Sequence, residues 1–144
     1  MAETDEKSES RWRRFQEHLC YTDEELEIYR SNPKHVQAME QGRMFAKNKV
    51  VIEVIEAHNC GAGYKAGDKF VIDGGGSLVI DECPPNLCIA AIAALKPLVS
   101  RMWQAFYNGS SEVFQDTVRC PDTGVRNAGV GEIVMRIYAV PKDR

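Results

Sequence analysis

The sequence predicts an α+β fold, in which one long helix covers a mostly antiparallel sheet of order β-β-β-α-β-β and an arm of short helices precedes the sheet. Three observations predict it. Apolar residues recur at helical spacing in residues 10–40, a stronger helical repeat runs from Ile92 to Phe106, and segments rich in Val and Ile lie on both sides of that repeat. A chain of 144 residues has room for one such domain.

The N-terminal region differs from the rest of the chain in charge. Residues 1–40 carry six basic and ten acidic side chains, a balance of −4, whereas residues 41–144 carry twelve and eleven, a balance of +1. Residues 1–9 have too little apolar content to offset the entropy of ordering, so we expect a mobile tail there. Residues 10–47 are expected to form a helical docking arm, because helices this short are unstable unless they pack on something.

Three short helices are predicted within the arm. Thr22 followed by Glu25 fits a capping box, in which hydroxyl and carboxylate bind free backbone amides at a helix start. Asn32-Pro33 is typical of the start of another helix, which we expect to end near Gly42. The apolar stripe that we expect to contact a partner consists of Trp12, Phe15, Leu19, Leu26 and Tyr29.

Residues 48–144 are expected to form the α+β body. Its predicted strands are Lys49–Ala57, Lys69–Asp73, Ser77–Ile80, Phe114–Cys120 and Glu132–Val140. Gly74-Gly75-Gly76 predicts a hairpin turn between the second and third strands, because glycine readily adopts positive φ. The long helix is expected to open at Pro84-Pro85 and to end at Asn108-Gly109, with Pro97 bending or splitting it.

Charge and composition exclude several classes of protein. The net charge is −3, the isoelectric point is about 5.6 and the basic residues are scattered, so the electrostatic attraction on which nucleic-acid binding depends is missing. No stretch approaches the ~18 apolar residues of a membrane span, and the polar N-terminus lacks the pattern of a signal peptide. We therefore expect a cytoplasmic protein that binds neither nucleic acid nor membranes.

The cysteines form a candidate zinc site. Cys60, Cys83, Cys88 and Cys120 are each placed where a strand gives way to a turn or helix, and zinc prefers four thiolate or imidazole ligands. His58 could substitute for one of them. Spacings of 22, 4 and 31 residues contain no C-x-x-C knuckle, so the alternative is four small thiols buried in the core. No nucleotide site is expected, because a strand and not a helix follows the G-x-G-x-x-A match in residues 61–66.

Cys88 also has an interpretation as a catalytic nucleophile. It is expected in the first turn of the long helix, where free amides and the helix dipole stabilise a thiolate. Cysteine catalysis also requires a base, and His58 is the histidine of the body, since His18 and His35 belong to the arm. A stand-alone enzyme that uses Cys88 and His58 is thus the rival to a structural metal site.

Several motifs of the body resemble those of a known family. They are the turn Cys60–Asp68, Cys88 before a helix rich in Ala and Leu, and the late Cys120-Pro121-Asp122. The chain resembles, over about two thirds of its length, a family of small uncharacterised bacterial and archaeal proteins marked by Cys-x-x-Gly-His-Lys-x-Gly-Asp and Cys-Pro-Asp. Tyr64 stands where the family usually has histidine, and the family has no settled activity to carry over.

The arm resembles an extension found in some members of that family. Its residues Tyr21–Leu26 and Ser31-Asn32-Pro33 carry the resemblance. That extension is associated with small subunits of multi-subunit enzymes such as ATP-dependent acetophenone-type carboxylases. Together with the candidate zinc site of the cysteines, this resemblance leads to the hypothesis of a non-catalytic accessory subunit, docked on a larger protein subunit and fastened by zinc. A homo-oligomer with buried cysteines and no metal is a third hypothesis.

Overall fold

The computed structural model describes residues 2–142, and it is α+β as the sequence predicts. Five helices and a four-stranded antiparallel sheet are present in that part of the chain. The helices are α1 (Ala2–Leu19), α2 (Asp23–Arg30), α3 (Pro33–Glu40), α4 (Gly42–Lys47) and α5 (Ile89–Tyr107), and the strands are β1 (Asn48–His58), β2 (Lys69–Ile72), β3 (Thr117–Arg119) and β4 (Glu132–Pro141). No helix among the described residues is long and apolar enough to cross a membrane.

The chain divides into two compact units, one ending at Gly42 and the other beginning at Arg43. We predicted an arm that runs to residue 47, but α4 packs with the body. The ring of Phe45 lies with its centroid 5.1 Å from that of Trp103 and 5.2 Å from that of Phe106. These tertiary contacts, which the local sequence does not reveal, assign α4 to the second unit.

The first helix begins earlier than predicted. We expected a mobile tail over residues 1–9 and a helix from Ser10, whereas α1 starts at Ala2; Met1 lies outside the described residues. Acidic residues in the first turns, such as Asp5 and Glu6, suit the positive end of a helix dipole. The carboxylate of Glu9 also binds Arg30 of α2 at 2.8 Å, a contact that apolar content alone does not predict.

Both predicted helix caps of the arm are confirmed. The Thr22 hydroxyl accepts from the Glu25 N–H at 3.1 Å, and the Glu25 carboxylate accepts from the Thr22 N–H at 2.8 Å. The Asn32 side chain accepts from the N–H of Lys34 at 3.0 Å, and Pro33 is the first residue of α3. Each cap satisfies amides that a helix leaves free at its start.

The sheet has the order β2-β1-β4-β3. The long strands β1 and β4 form its centre, with a register that runs from Asn48 opposite Pro141 to His58 opposite Glu132. The predicted strand Ser77–Ile80 is wrong, since only one bridge joins Leu78 to β2 and a 3-10 turn begins at Ile80. The Asp73 carboxylate accepts from two amides of the following turn, and two backbone hydrogen bonds, from Asp73 N–H to the Ser77 carbonyl and from Val79 N–H to the Val71 carbonyl, form a short hairpin without a full strand.

The strand that follows α5 is also shorter than expected. We predicted Phe114–Cys120, but β3 begins at Thr117. The Arg101 guanidinium on α5 donates to the carbonyl of Gln115 at 2.8 Å, which ties the chain to the helix just before the strand. Phe114 projects fully into solvent.

Helix α5 covers one face of the sheet and forms the core with it. Its side chains Leu98, Met102 and Phe106 are fully buried. They pack with alternate residues of the strands, among them Val50, Ile52, Val54, Phe70, Met135 and Ile137. The alternation places these residues on one face of the sheet, which is why the strands could be predicted from their pattern.

The structure corrects two details of the predicted long helix. It starts at Ile89, with Cys88 as N-cap, and not at Pro84-Pro85. It also runs unbroken through Pro97, although proline removes one backbone hydrogen bond, because the burial of the flanking turns holds the helix on the sheet. The predicted end is confirmed, since Gly109 has φ of 73° and its N–H donates to the carbonyl of Phe106 at 2.9 Å.

Candidate functional site

The four cysteines predicted to bind zinc are not gathered at one point. The described residues hold no group of three or more His, Cys, Asp or Glu side chains that could bind a metal ion together. Cys60, Cys83, Cys88 and Cys120 are each half-buried, and each packs against the hydrophobic core. This is the environment of a small buried thiol, the alternative that the spacing left open.

The thiol of Cys83 is hydrogen-bonded to the backbone of β2. Its Sγ accepts from the N–H of Val71 at 3.4 Å and donates to the carbonyl of the same residue at 3.7 Å. Val71 pairs with β1 on its other side, so the thiol meets the outward backbone groups of an edge strand. Cys83 therefore has a structural role in shielding that edge.

Tyr64 joins the loop after β1 to the segment before α5. Its hydroxyl donates to the carbonyl of Asn86 and accepts from the N–H of Cys88, both at 2.7 Å. The ring is buried and packs edge-on against Phe70 with centroids 5.3 Å apart. Tyr64 is thus a buried clamp between two loops.

The surroundings of Tyr64 raise the pKa of its phenol. Burial is the main cause, since it disfavours the charged phenolate. The hydrogen bond from Cys88 N–H acts in the opposite direction, and negative charge on Cys88, Cys60 or Asp68 raises the pKa further. Tyr64 therefore stays protonated and keeps its donor hydrogen at neutral pH.

The structure does not pair Cys88 with a histidine base. The backbone of Cys88 contacts the Tyr64 hydroxyl, whereas the ring of His58 lies 3.0 Å from the side-chain amide of Asn59. His58 lines a cavity beside residues 123–132, and Cys88 is absent from that lining. Among the described residues, the nucleophile and base of the rival hypothesis are thus not in hydrogen-bonding contact.

Most of the predicted docking residues form the interior of the arm. Trp12 is 3% exposed, and its ring lies 6.0 Å from Phe15 and 6.2 Å from Tyr29, with the Arg30 guanidinium 4.8 Å above it. Leu26 is half-buried. These residues are needed by the arm itself and cannot all face a partner.

The exposed apolar side chains of the arm are different ones. Leu19 is 43% exposed and Ile28, which the sequence pattern did not single out, is 65% exposed. Ile28 lies outside the predicted apolar stripe of α2, which consists of Leu26 and Tyr29. An apolar residue off that stripe is the sequence feature that could have identified Ile28 as exposed.

Asp122 organises a loop that the sequence analysis noted only as part of Cys-Pro-Asp. Its carboxylate accepts from the N–H groups of Gly124 and Val130 at 2.9 Å and of Gly131 at 3.3 Å. These hydrogen bonds, led by those from Gly124 and Val130, hold the pKa of the carboxyl below its usual value. Asp122 therefore closes residues 122–131 into a fixed ring, which we call the Asp122 loop.

A second polar group lies on the face of the sheet opposite α5. The Tyr138 hydroxyl donates to Glu53 at 2.8 Å, and Lys49 binds Glu82 at 2.7 Å. Burial, followed by the hydrogen bond and charge of Glu53, raises the pKa of Tyr138 to about 12. Lys49, Glu82 and Tyr138 border a cavity of about 320 Å³, and both lysines of its lining, Lys49 and Lys69, have carboxylate partners.

Comparisons with known proteins give no relative from which a role could be carried over. No family model matches the chain, and neither a curated protein nor a solved structure is significantly similar to it.

Proposed function

We propose that the protein is a small, non-catalytic accessory subunit of a larger multi-subunit enzyme complex. One observation carries the proposal: the residues up to Gly42 form a compact unit with an aromatic interior of its own and apolar side chains left in solvent. An attachment arm needs both features, a fold of its own and apolar surface for its partner. The resemblance of the arm suggests an ATP-dependent carboxylase as the complex.

The arm supports this proposal through its outer surface. Leu19 and Ile28 are exposed in α1 and α2, while Trp12 and Tyr29 hold those helices together. A preformed aromatic interior lowers the entropy that docking would cost. Leu19 and Ile28 therefore replace the full predicted stripe as the contact residues that we propose.

The body supports the proposal through its own exposed apolar residues. Ile89, in the first turn of α5, is 84% exposed, and Leu87 just before it is 41% exposed. Phe114 is fully exposed. Contiguous apolar patches mark surfaces that a partner covers, and Leu87 and Ile89 are two residues apart in the sequence.

Co-purification of the full chain from its source cells at native expression level tests the proposal. We expect a larger enzyme subunit to accompany the protein in stoichiometric amount. Ile28→Glu should abolish that association, whereas Ser10→Glu, which adds the same charge at an exposed polar position of α1, should leave it intact. A protein that migrates alone, or as copies of itself only, contradicts the proposal.

A structural zinc ion on the four cysteines is part of the same proposal. Binding would require the loops that carry them to move together, because the described residues hold no metal-binding group. Elemental analysis of untagged protein purified without chelators tests this point. About one zinc per chain, lost in Cys→Ser variants at 60, 83, 88 and 120, supports the zinc site. A metal-free and stable protein contradicts it.

Alkylation with iodoacetamide tests the rival hypothesis, a stand-alone enzyme that uses Cys88 as its nucleophile. Cys20 is exposed, whereas the body cysteines are half-buried. We expect Cys20 to react first, since access controls the rate among ordinary thiols. Selective fast labelling of Cys88 would instead favour the stand-alone enzyme.

A further inference from the structure

The Asp122 loop forms a wall of a cavity that has a fixed shape. The cavity measures about 270 Å³, and its lining consists of His58, Thr123, Gly124, Val125, Arg126, Asn127, Val130, Gly131 and Glu132. Besides the three hydrogen bonds to Asp122, the Thr123 hydroxyl donates to the carbonyl of Asn127 at 2.8 Å. Because the loop is cross-linked in this way, the cavity walls are ordered before any ligand arrives.

The carboxylates beside this cavity have hydrogen-bonding partners of their own. Glu132 binds the Arg119 guanidinium at 2.9 Å. The carboxylate of Asp122 is satisfied by the amides of Gly124, Val130 and Gly131. Neither carboxylate therefore needs a further cation from the lining.

Arg126 is the charged residue of the lining that lacks such a partner among residues 2–142. Its guanidinium makes no hydrogen bond or ion pair with any residue between 2 and 142, while its side chain lines the cavity. An arginine presents a planar fork of donors that matches the oxygens of a carboxylate or phosphate. Arg126 is an exposed residue, so its unpaired fork is accessible to such a group at the cavity that it lines.

We propose that this cavity binds a small oxyanion, a carboxylate or phosphate group, on the guanidinium of Arg126, with His58 as a neighbouring polar group. The volume is slightly below the ~300 Å³ at which pockets for larger ligands begin, so the ligand is a small molecule. The inference is independent of the accessory-subunit function, because it uses only residues of the body.

Titration of the full chain with two probes tests the site. Inorganic phosphate and malonate are added separately at constant ionic strength, and the backbone amide signals of Gly124 and Gly131 are followed by NMR. We expect saturable shifts with at least one probe, and the probe that binds more tightly identifies the group as phosphate or carboxylate. No saturable shift up to about 10 mM of either probe overturns the proposal.

Two substitutions of Arg126 and one control test whether the Arg126 guanidinium binds the anion. Arg126→Gln should weaken binding at least tenfold, and Arg126→Lys should weaken it less, because lysine keeps the charge but loses the fork. Arg14→Gln removes the same charge from an exposed position of α1 and should change the affinity less than twofold. Equal weakening by Arg126→Gln and Arg14→Gln means that net charge and not this site attracts the anion, and it overturns the proposal.

Discussion

The hydroxyl of Tyr64 accepts a hydrogen bond from the backbone N–H of Cys88 across 24 residues of sequence. The same hydroxyl donates to the carbonyl of Asn86, so one buried oxygen satisfies two backbone groups. The segment that they belong to leads directly into α5. The start of α5 is thus fixed by a side chain from the loop that follows β1.

Tyr64→Phe should lower the free energy of unfolding by about 1–3 kcal/mol, because it leaves the Cys88 N–H and the Asn86 carbonyl without their partner. Urea unfolding followed by circular dichroism measures the change. Tyr21→Phe is the matched control, since the Tyr21 hydroxyl makes no hydrogen bond within the described part of the chain. A loss of the same size in both variants would mean that the clamp contributes nothing.

The parts of the fold that the sequence predicted correctly are those set by local chemistry. The capping box of Thr22 and Glu25, the helical repeat of α5 and the alternation in β1 all act over a few residues. The failures have tertiary causes. Helix α4 is stabilised by Phe45 against α5, and the third strand is cut short because the chain enters a 3-10 turn at Ile80.

The candidate site was less predictable for the same reason. The loop contexts of the cysteines indicated zinc, but whether four thiols meet depends on packing that no spacing without a knuckle specifies. Asp122 preceding Gly124 by two residues was a readable signal for a local turn. Its contacts with Val130 and Gly131 arise only once the loop closes.

Alkaline pH should destabilise the protein through Tyr138. Its pKa is raised from 10.0 to about 12 in the folded state, so folding favours the protonated phenol. This contribution is complete below pH 10 and is lost as pH rises towards 12. Spectrophotometric titration should show a phenol that ionises near pH 12 and that disappears in Tyr138→Phe.

Tyr64 also titrates above its usual range, so the assignment needs a control. Titration of Tyr64→Phe should retain the ionisation near pH 12. If the ionisation near pH 12 survives in Tyr138→Phe and disappears in Tyr64→Phe, its assignment to Tyr138 is wrong.

Acid pH should destabilise the protein through Asp122. Its folded pKa lies below the model-compound value of 3.8, so its contribution to stability is present above that pH and is lost as pH falls below it. Asp122→Asn should flatten the pH dependence of stability in this range. Asp81→Asn, a change at an exposed carboxyl, should preserve the acid limb of the curve.

Gly129 tests whether the Asp122 loop is as closely packed as its hydrogen bonds indicate. A Cβ at this position would overlap the Asp122 Oδ1 atom and the Gly124 nitrogen, which the loop cannot move without breaking its cross-links. Gly129→Ala should therefore lower stability by about 1–3 kcal/mol, as overpacking does. It should also weaken any anion binding beside Arg126, because the same ring shapes that cavity.

Gly42→Ala is the matched control for this substitution. A Cβ at Gly42 meets nothing within 4 Å, and alanine is the better helix former at the start of α4. Urea unfolding of both variants should show a loss for Gly129→Ala and no loss for Gly42→Ala. Unchanged stability of Gly129→Ala would mean that the loop relaxes freely, and the rigid cavity wall on which the oxyanion site depends would then be absent.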